Sequence, residues 1–135
     1  MPIETALAYT AGLFDGEGSI TLTRTKRTRF RSPQVSVASC DREVLEWLRI
    51  TFGGSISTKQ PRQPTHSISY DWRLTDRRAL VFLKSIRPYL QIQRKIRRID
   101  LLLTSYIAST PRNGRYTDEM VKQKQALIEQ FFSLP

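Results

Sequence analysis

Two carboxylates, Asp15 and Glu17, stand at the end of a predicted helix, and they alternate with Gly16 and Gly18. The C-terminal end of an α-helix carries partial negative charge, so acidic side chains are unfavourable for the helix there. Residues placed where they destabilise their own element indicate a function. For two closely spaced carboxylates we expect that function to be cation binding, because hard divalent cations prefer carboxylate oxygens.

The helix that leads to these acids has a face of small side chains. Ala8, Ala11 and Gly12 share this face, and Asp15 lies at its end. A face with almost no bulk allows two helix backbones to approach closely, so we expect these four residues to contact a second copy of the chain. The alternative, which the sequence leaves open, is that Ala and Gly pack against the chain's own core.

The composition predicts one domain over residues 1–135 and a polyanionic partner. The chain has 22 Lys and Arg against 12 Asp and Glu, a net charge of +10, which favours nucleic acid. No apolar run approaches the roughly 20 residues of a membrane span, and no signal peptide is recognisable. The single cysteine, Cys40, cannot form an internal disulfide, and with one histidine, His66, a Cys/His zinc site is excluded. We expect a reducing compartment, either a bacterial cytoplasm or an organelle (mitochondrion or chloroplast).

Apolar and polar residues alternate with a period of two, which predicts strands with a core face and an outer face. The core face would carry Ile20, Leu22, Val35, Val37, Ile56, Tyr70, Trp72 and Leu74. The outer face would carry Thr21, Thr23, Thr25, Arg27, Arg29, Gln34, Ser36, Ser57, Lys59, Ser69, Asp71 and Arg73. Such side chains can bind base edges in a major groove, although an ordinary solvated sheet face has a similar composition. Two long intervals without acids, 18–40 and 47–70, favour nucleic acid.

Helix signals flank and follow the strands. The predicted helices run from Asp41 to Gly53, from Asp76 to the residue before Pro88, from about Ile92 to Ile107, and onward from Thr117. The predicted order is αββαββα(α), an α+β fold in which helices cover one face of a four-stranded antiparallel sheet and leave the other open. Four of the five residues Arg94–Arg98 are basic. This cluster is either a solvated helix face or, as its density favours, a site of phosphate contact.

The run Ala11-Gly-Leu-Phe-Asp-Gly-Glu-Gly18, followed by Ser-Ile and a strand, closely resembles the signature of the LAGLIDADG homing endonucleases. The resemblance extends over nearly the whole chain, and the motif occurs once. It implies a homodimer that cleaves double-stranded DNA at a specific, long and pseudo-palindromic target, by metal-dependent hydrolysis of phosphodiester bonds. Mg²⁺ would be the cofactor, and Mn²⁺ could substitute for it.

The same resemblance assigns roles to individual residues. Glu17 matches the catalytic, metal-binding acid of the family, and the main-chain carbonyl of Gly16 would be a further ligand. Asp15 matches the first motif acid, for which we predict a structural hydrogen bond. The chain departs from the common pattern because Glu17 is one methylene longer than the usual Asp. Gln93 stands where the family often has a Lys, and Ser39 where some members have a water-ordering Gln.

The departures at Gln93 and Ser39 concern residues that assist catalysis in the family. Lys95, two residues beyond Gln93, is our candidate for the cationic helper. Two alternatives to the endonuclease remain at this stage, an intron maturase that binds RNA and a DNA-binding protein without catalysis. Basic charge alone does not separate RNA from DNA, but a retained Glu17 argues against a protein that only binds.

Overall fold

The computed structural model describes residues 3–24, 29–60 and 67–135. Its elements are α1 (Ile3–Glu17), β1 (Gly18–Thr23), β2 (Ser32–Ser39), α2 (Arg42–Phe52), β3 (Ser55–Lys59), β4 (Ser69–Thr75), α3 (Asp76–Ile86), a 3₁₀ turn (Arg87–Tyr89), α4 (Gln93–Ser105) and α5 (Asp118–Ser133). No helix in these ranges is long and apolar enough to cross a membrane.

The four strands form one antiparallel sheet in the order β1-β2-β4-β3. The predicted core face is confirmed, because six of its eight residues are at most 5% exposed and the other two, Ile56 and Tyr70, pack against them. At the centre of this face Trp72 meets Phe82 of α3, with ring centroids 5.2 Å apart, and Phe82 in turn meets Phe14 of α1. These aromatic contacts place α1 and α3 on the core side of the sheet, whereas Ser57, Lys59 and Arg73 of the other face are exposed.

The predicted α+β class and its order are confirmed as far as β4, with small differences in the helices. Three helices follow β4, as the helix signals from Asp76, Ile92 and Thr117 predict, whereas the predicted order counts only two. α3 begins at Asp76 with Thr75 as its N-cap, and α4 ends at Ser105 rather than Ile107. Thr117 caps α5 by accepting a hydrogen bond from the Met120 amide.

One charged side chain of α5 lies in the core. Lys124 is 0% exposed, its ammonium group lies 3.6 Å from the centroid of the Tyr106 ring, and it donates a hydrogen bond to Thr110 Oγ1. Burial, with a smaller contribution from the positive charge of Arg77, lowers the pKa of Lys124 from 10.5 to about 8. A buried ammonium is costly unless its partners compensate fully.

We expect the substitution Lys124→Met to stabilise the protein at pH 7, and the gain to shrink as the pH rises. Below pH 8 the ammonium is charged in both the folded and the unfolded chain, so the cost of burial is fully present. Between about pH 8 and 10.5 the folded chain loses this proton first, so the stability of the unsubstituted protein rises with pH. The expected gain at pH 7 is about 1–3 kcal/mol.

Chemical denaturation of both proteins at pH 7 and pH 10 measures this difference. Lys122→Met is the matched control, because Lys122 lies on the same helix and is exposed. A difference between Lys124→Met and the unsubstituted protein that stays constant over this pH range would contradict the assignment of a lowered pKa to Lys124.

Candidate active site and nucleic-acid interface

Glu17 lies at a junction where a helix passes directly into a strand. It is the last residue of α1, and β1 begins at Gly18. Gly18 is buried, and a Cβ atom there would lie 2.3 Å from the Phe14 ring, closer than any real contact. Glycine at this position therefore lets the strand start against the helix, and the exposed Glu17 side chain is held at a fixed place on the surface.

Asp15 has a structural role within the chain. Its two carboxylate oxygens accept hydrogen bonds from the amides of Gln91 and Ile92, at 2.9 and 3.0 Å. These two amides immediately precede α4, so Asp15 fixes the turn that enters this helix. The predicted structural hydrogen bond is confirmed, and its partner is the approach to α4.

Lys95 makes the reciprocal contact from α4 back to α1. Its ammonium group donates to the main-chain carbonyls of Phe14 and Asp15, at 2.8 and 2.7 Å. Carbonyls at the C-terminal end of a helix lack partners within the helix, and a cation there is favourable because that end is partially negative. Burial chiefly, and then Arg94, lower the pKa of Lys95, while Asp15 and Glu17 oppose this shift.

Lys95 is therefore a capping residue of α1. Two of its three donors are directed at carbonyl groups, and 8% of the side chain is exposed. The two caps, Asp15 on the start of α4 and Lys95 on the end of α1, together fix the backbone that carries Glu17. A direct role of Lys95 in catalysis stays a prediction.

A surface groove of about 760 Å³ lies against Glu17. Ser39 lines it, and the Ser39 hydroxyl accepts a hydrogen bond from the Asp41 amide at 2.9 Å. A catalytic role of Ser39 stays a prediction. Gln93 is exposed on the first turn of α4 and does not line this groove. The sequence analysis missed two acids of the groove, Asp41 and Glu43. Only the cap signal at Asp41 was visible in the sequence, and it says nothing of the distance to Glu17.

The oxygen donors at this end of α1 fit a hard divalent cation. The Glu17 carboxylate is exposed, and Lys95 occupies the carbonyls of Phe14 and Asp15 but not that of Gly16. Carboxylate and carbonyl oxygens are the ligands that Mg²⁺ takes in proteins. Over the ranges that the structure describes, however, no group of three or more His, Cys, Asp or Glu residues could hold a metal ion.

The outer face of the sheet presents the predicted polar residues in rows across the strands. Ser36 of β2 pairs with Arg73 of β4, and Arg73 pairs with Ser55 of β3. The residues that the structure places on this face are Thr21, Thr23, Gln34, Ser36, Ser57, Lys59, Ser69, Asp71 and Arg73. Thr25 and Arg27 lie outside the described residues.

The acid of this face is neutralised by two neighbours. Asp71 is 4% exposed and forms ion pairs with Lys59 at 3.0 Å and Arg73 at 3.3 Å. Because two cations surround one carboxylate, the face keeps a positive charge at this point. Arg29 is exposed and lies just before β2, and its guanidinium lies over the rings of Phe30 and Tyr116. Its contact with nucleic acid stays a prediction.

The small-residue face of α1 is rotated from the predicted one. Ala11 is 0% exposed and belongs to the chain's own core, so its prediction as an interface residue is wrong. Ala8, Gly12 and Gly16 are exposed at a spacing of four residues, and a Cβ atom at Gly12 or Gly16 would meet nothing within 4 Å. We call these three residues the small-residue stripe. Asp15, the fourth predicted contact, has its carboxylate engaged within the chain.

Comparisons with known proteins agree with this fold. The family model of the LAGLIDADG-like domain matches residues 4–87. The structure is similar to the homing endonuclease I-CvuI in complex with the I-CreI target (TM-score 0.72, 15% identity, 98% of this chain and 83% of that chain). It is also similar to the archaeal intron-encoded homing endonuclease I-Vdi141I complexed with DNA (TM-score 0.69, 16% identity, 99% and 86%).

A third similar structure is the LAGLIDADG homing endonuclease I-GzeII in complex with its DNA target, at a TM-score of 0.68 and 17% identity. The alignment covers 96% of this chain and 44% of that longer chain. A search of curated proteins gave no match. The structural likeness at these identities concerns the fold, and the family match covers more than half of the sequence. The chain therefore belongs to the LAGLIDADG family and has the fold of its homing endonucleases.

Proposed function

We propose that this chain is a site-specific, metal-dependent endonuclease of double-stranded DNA that acts as a homodimer of one domain, residues 1–135. The observation that carries the proposal is the position of Glu17. This acid is exposed at the end of a helix whose outer side is the small-residue stripe, and it adjoins an open sheet face of polar and basic side chains. Three of the solved structures similar to this chain, those of I-CvuI, I-Vdi141I and I-GzeII, are complexes with DNA.

A dimer would bring two copies of Glu17 into one site. If the small-residue stripes of two copies pack together, the two-fold axis runs beside α1 and brings the two Glu17 carboxylates towards each other. Two carboxylates and two Gly16 carbonyls would then hold Mg²⁺, or Mn²⁺ in its place. When bound, the metal supplies Lewis-acid activation of the scissile phosphate and of the attacking water.

In this proposal the residues of the chain itself position Glu17, order water and contact the DNA. Asp15 and Lys95 hold the end of α1, so that Glu17 stays in place without reorganisation. Ser39 offers a hydroxyl at the edge of the groove, where a water molecule can be ordered. The outer face of the sheet lies along the major groove, and Thr, Ser, Gln and Arg side chains contact base edges and phosphates. Two such sheets related by a two-fold axis select a long, pseudo-palindromic target.

Cleavage of a randomised library of plasmid targets tests the proposal. We expect the purified protein to linearise a small set of related, partly palindromic sequences in the presence of Mg²⁺ or Mn²⁺, and none in the presence of EDTA. Tight duplex binding without cleavage of any sequence would contradict the endonuclease and favour a DNA-binding protein. Binding to RNA in clear preference to every duplex would favour the maturase.

The substitution Gly12→Leu is expected to weaken the dimer. Within one chain nothing lies within 4 Å of a Cβ atom at Gly12, so the fold accommodates leucine, whereas a close approach of two helices does not. Overpacking of this kind costs about 1–3 kcal/mol, which raises the dissociation constant of the dimer roughly tenfold to a hundredfold. Sedimentation over a range of concentrations measures this constant.

The control Glu129→Leu adds the same side chain at an exposed position of α5 and should leave the dissociation constant unchanged. Equal dimerisation of the Gly12→Leu protein and the unsubstituted protein would place the interface elsewhere on the molecule.

A further inference from the structure

A second, basic pocket lies on the other side of the α1–β1 junction. It has a volume of about 270 Å³ and is lined by residues 18–20 at the start of β1, by Arg94, Lys95 and Arg98 of α4, and by Pro135. The groove described above is lined by the acids Glu17, Asp41 and Glu43, whereas the lining of this pocket has three cationic side chains and no Asp or Glu. The two cavities therefore differ in the charge of the ligand that they favour.

Two arginines of this pocket have no acidic partner in the described part of the chain. Arg94 and Arg98 lie four residues apart, on one face of α4, and neither takes part in an ion pair there. Nε of Arg98 is buried and lacks a hydrogen-bond partner among the described residues. The guanidinium lies over the Phe131 ring, 5.7 Å from its centroid, and this contact restricts its orientation. A buried donor without an acceptor is costly, and an anionic oxygen in the pocket would relieve that cost.

The third cation, Lys95, is already engaged. Its ammonium is bonded to the end of α1, so it contributes charge to the pocket while Arg94 and Arg98 keep their donors. Guanidinium groups match phosphate oxygens with two parallel hydrogen bonds, which a single ammonium does not offer. The size and the donor set fit a phosphate group that is part of a longer chain entering from the surface.

We propose that this pocket binds a backbone phosphate of the DNA substrate, next to the scissile phosphate and not identical with it. This inference rests on the proposed DNA-binding function. Gly18 lines the pocket and directly follows Glu17, so a phosphate held by Arg94 and Arg98 lies beside the metal-binding acid. The pocket thereby positions the strand that is to be cut. It adds affinity that does not depend on the base sequence, since a phosphate carries no sequence information.

The structure divides the basic cluster Arg94–Arg98 into residues inside and outside the pocket. Arg97 is exposed on α4 and does not line the pocket. It carries the same charge on the same helix, only one residue from Arg98. Comparing substitutions of Arg97 and Arg98 therefore distinguishes a specific phosphate contact from a general effect of net charge.

The test is the salt dependence of binding to a random 30-base-pair duplex in the absence of metal, for Arg98→Gln, Arg94→Gln and the control Arg97→Gln. Each lost phosphate contact lowers the slope of log K against log salt by about 0.9. We expect this decrease in slope, together with a weaker affinity at low salt, for Arg98→Gln and Arg94→Gln. For Arg97→Gln we expect the slope to decrease by less than half as much. Thermal unfolding of each variant verifies the fold, and Arg94, being exposed, serves if Arg98→Gln unfolds.

Equal slopes for the three variants would contradict phosphate binding in this pocket. The endonuclease proposal would be unaffected, because cleavage of the library is measured separately. Failure of the unsubstituted protein to bind any duplex would instead overturn the proposed function. A second arm uses a cleavable target once it is found, with single methylphosphonate substitutions that remove the charge of one phosphate at a time. A methylphosphonate at one position close to the cut should weaken binding of the unsubstituted protein. The same substitution should not weaken binding of the Arg98→Gln protein any further.

Discussion

Glu17→Gln is expected to abolish DNA cleavage while duplex binding and the fold persist. The amide keeps the size of the side chain but loses the negative charge, so it no longer binds a divalent cation well. We expect the rate of cleavage to fall by at least about a thousandfold, which corresponds to about 4 kcal/mol of transition-state stabilisation. The fold should persist because the Glu17 side chain is exposed.

Single-turnover cleavage of the library-derived target, with binding measured on the same duplex, tests this expectation. Glu43→Gln is the matched control, since it makes the same chemical change in the same groove at a residue outside the proposed ligand set. Normal cleavage by Glu17→Gln would remove the basis of the endonuclease proposal. Equal losses in both variants would instead indicate a general effect of acidity in the groove.

The second large effect is expected from Gly18→Ala. The added methyl group would lie 2.3–2.6 Å from three atoms of the Phe14 ring, and Phe14 is 0% exposed in the core. Because the ring is buried and packs against Phe82, the ring, the strand or the helix end must shift. Overpacking at such a site costs about 1–3 kcal/mol or more, and the shift also displaces Glu17, so cleavage should fall together with stability.

Gly16→Ala serves as the control for stability two residues earlier, and its cleavage is not compared because Gly16 belongs to the small-residue stripe. Nothing lies within 4 Å of a Cβ atom at Gly16, and alanine favours a helix over glycine by roughly 0.5–1 kcal/mol. Denaturation at several protein concentrations measures the free energy of unfolding and separates it from dissociation of subunits. If Gly18→Ala proved as stable as the unsubstituted protein, the close packing of Phe14 against β1 would be refuted.

The sequence was sufficient to predict the sheet, its two faces and the acid at the end of α1. Strand alternation is a local signal with a period of two, and each core residue of the sheet could be identified from its neighbours. It was harder to predict which face of α1 is buried. A helix rich in Ala and Gly has little contrast between its faces, so Ala11 was assigned to the surface although it is buried.

Contacts between distant residues were beyond such reasoning. Asp15 meets Gln91 and Ile92 across more than 70 positions, and Lys95 meets Phe14 over a similar separation. Neither pairing leaves a local pattern. Lys124 is a different case, because it lies four residues after Met120 and three before Leu127, within the apolar stripe of α5. Its spacing alone predicts burial, but a lysine is normally expected on the surface because it is charged.

The reciprocal caps also determine how the protein is expected to open. Because Asp15 holds the entry to α4 and Lys95 holds the exit of α1, fraying of either helix end releases the other. The amides of Gln91 and Ile92 should accordingly exchange with solvent hydrogen at the same free energy as those of the α1–β1 junction, as members of one cooperative unit. Since Glu17 belongs to that unit, its positional order would be lost by local opening on warming, before the rest of the molecule unfolds.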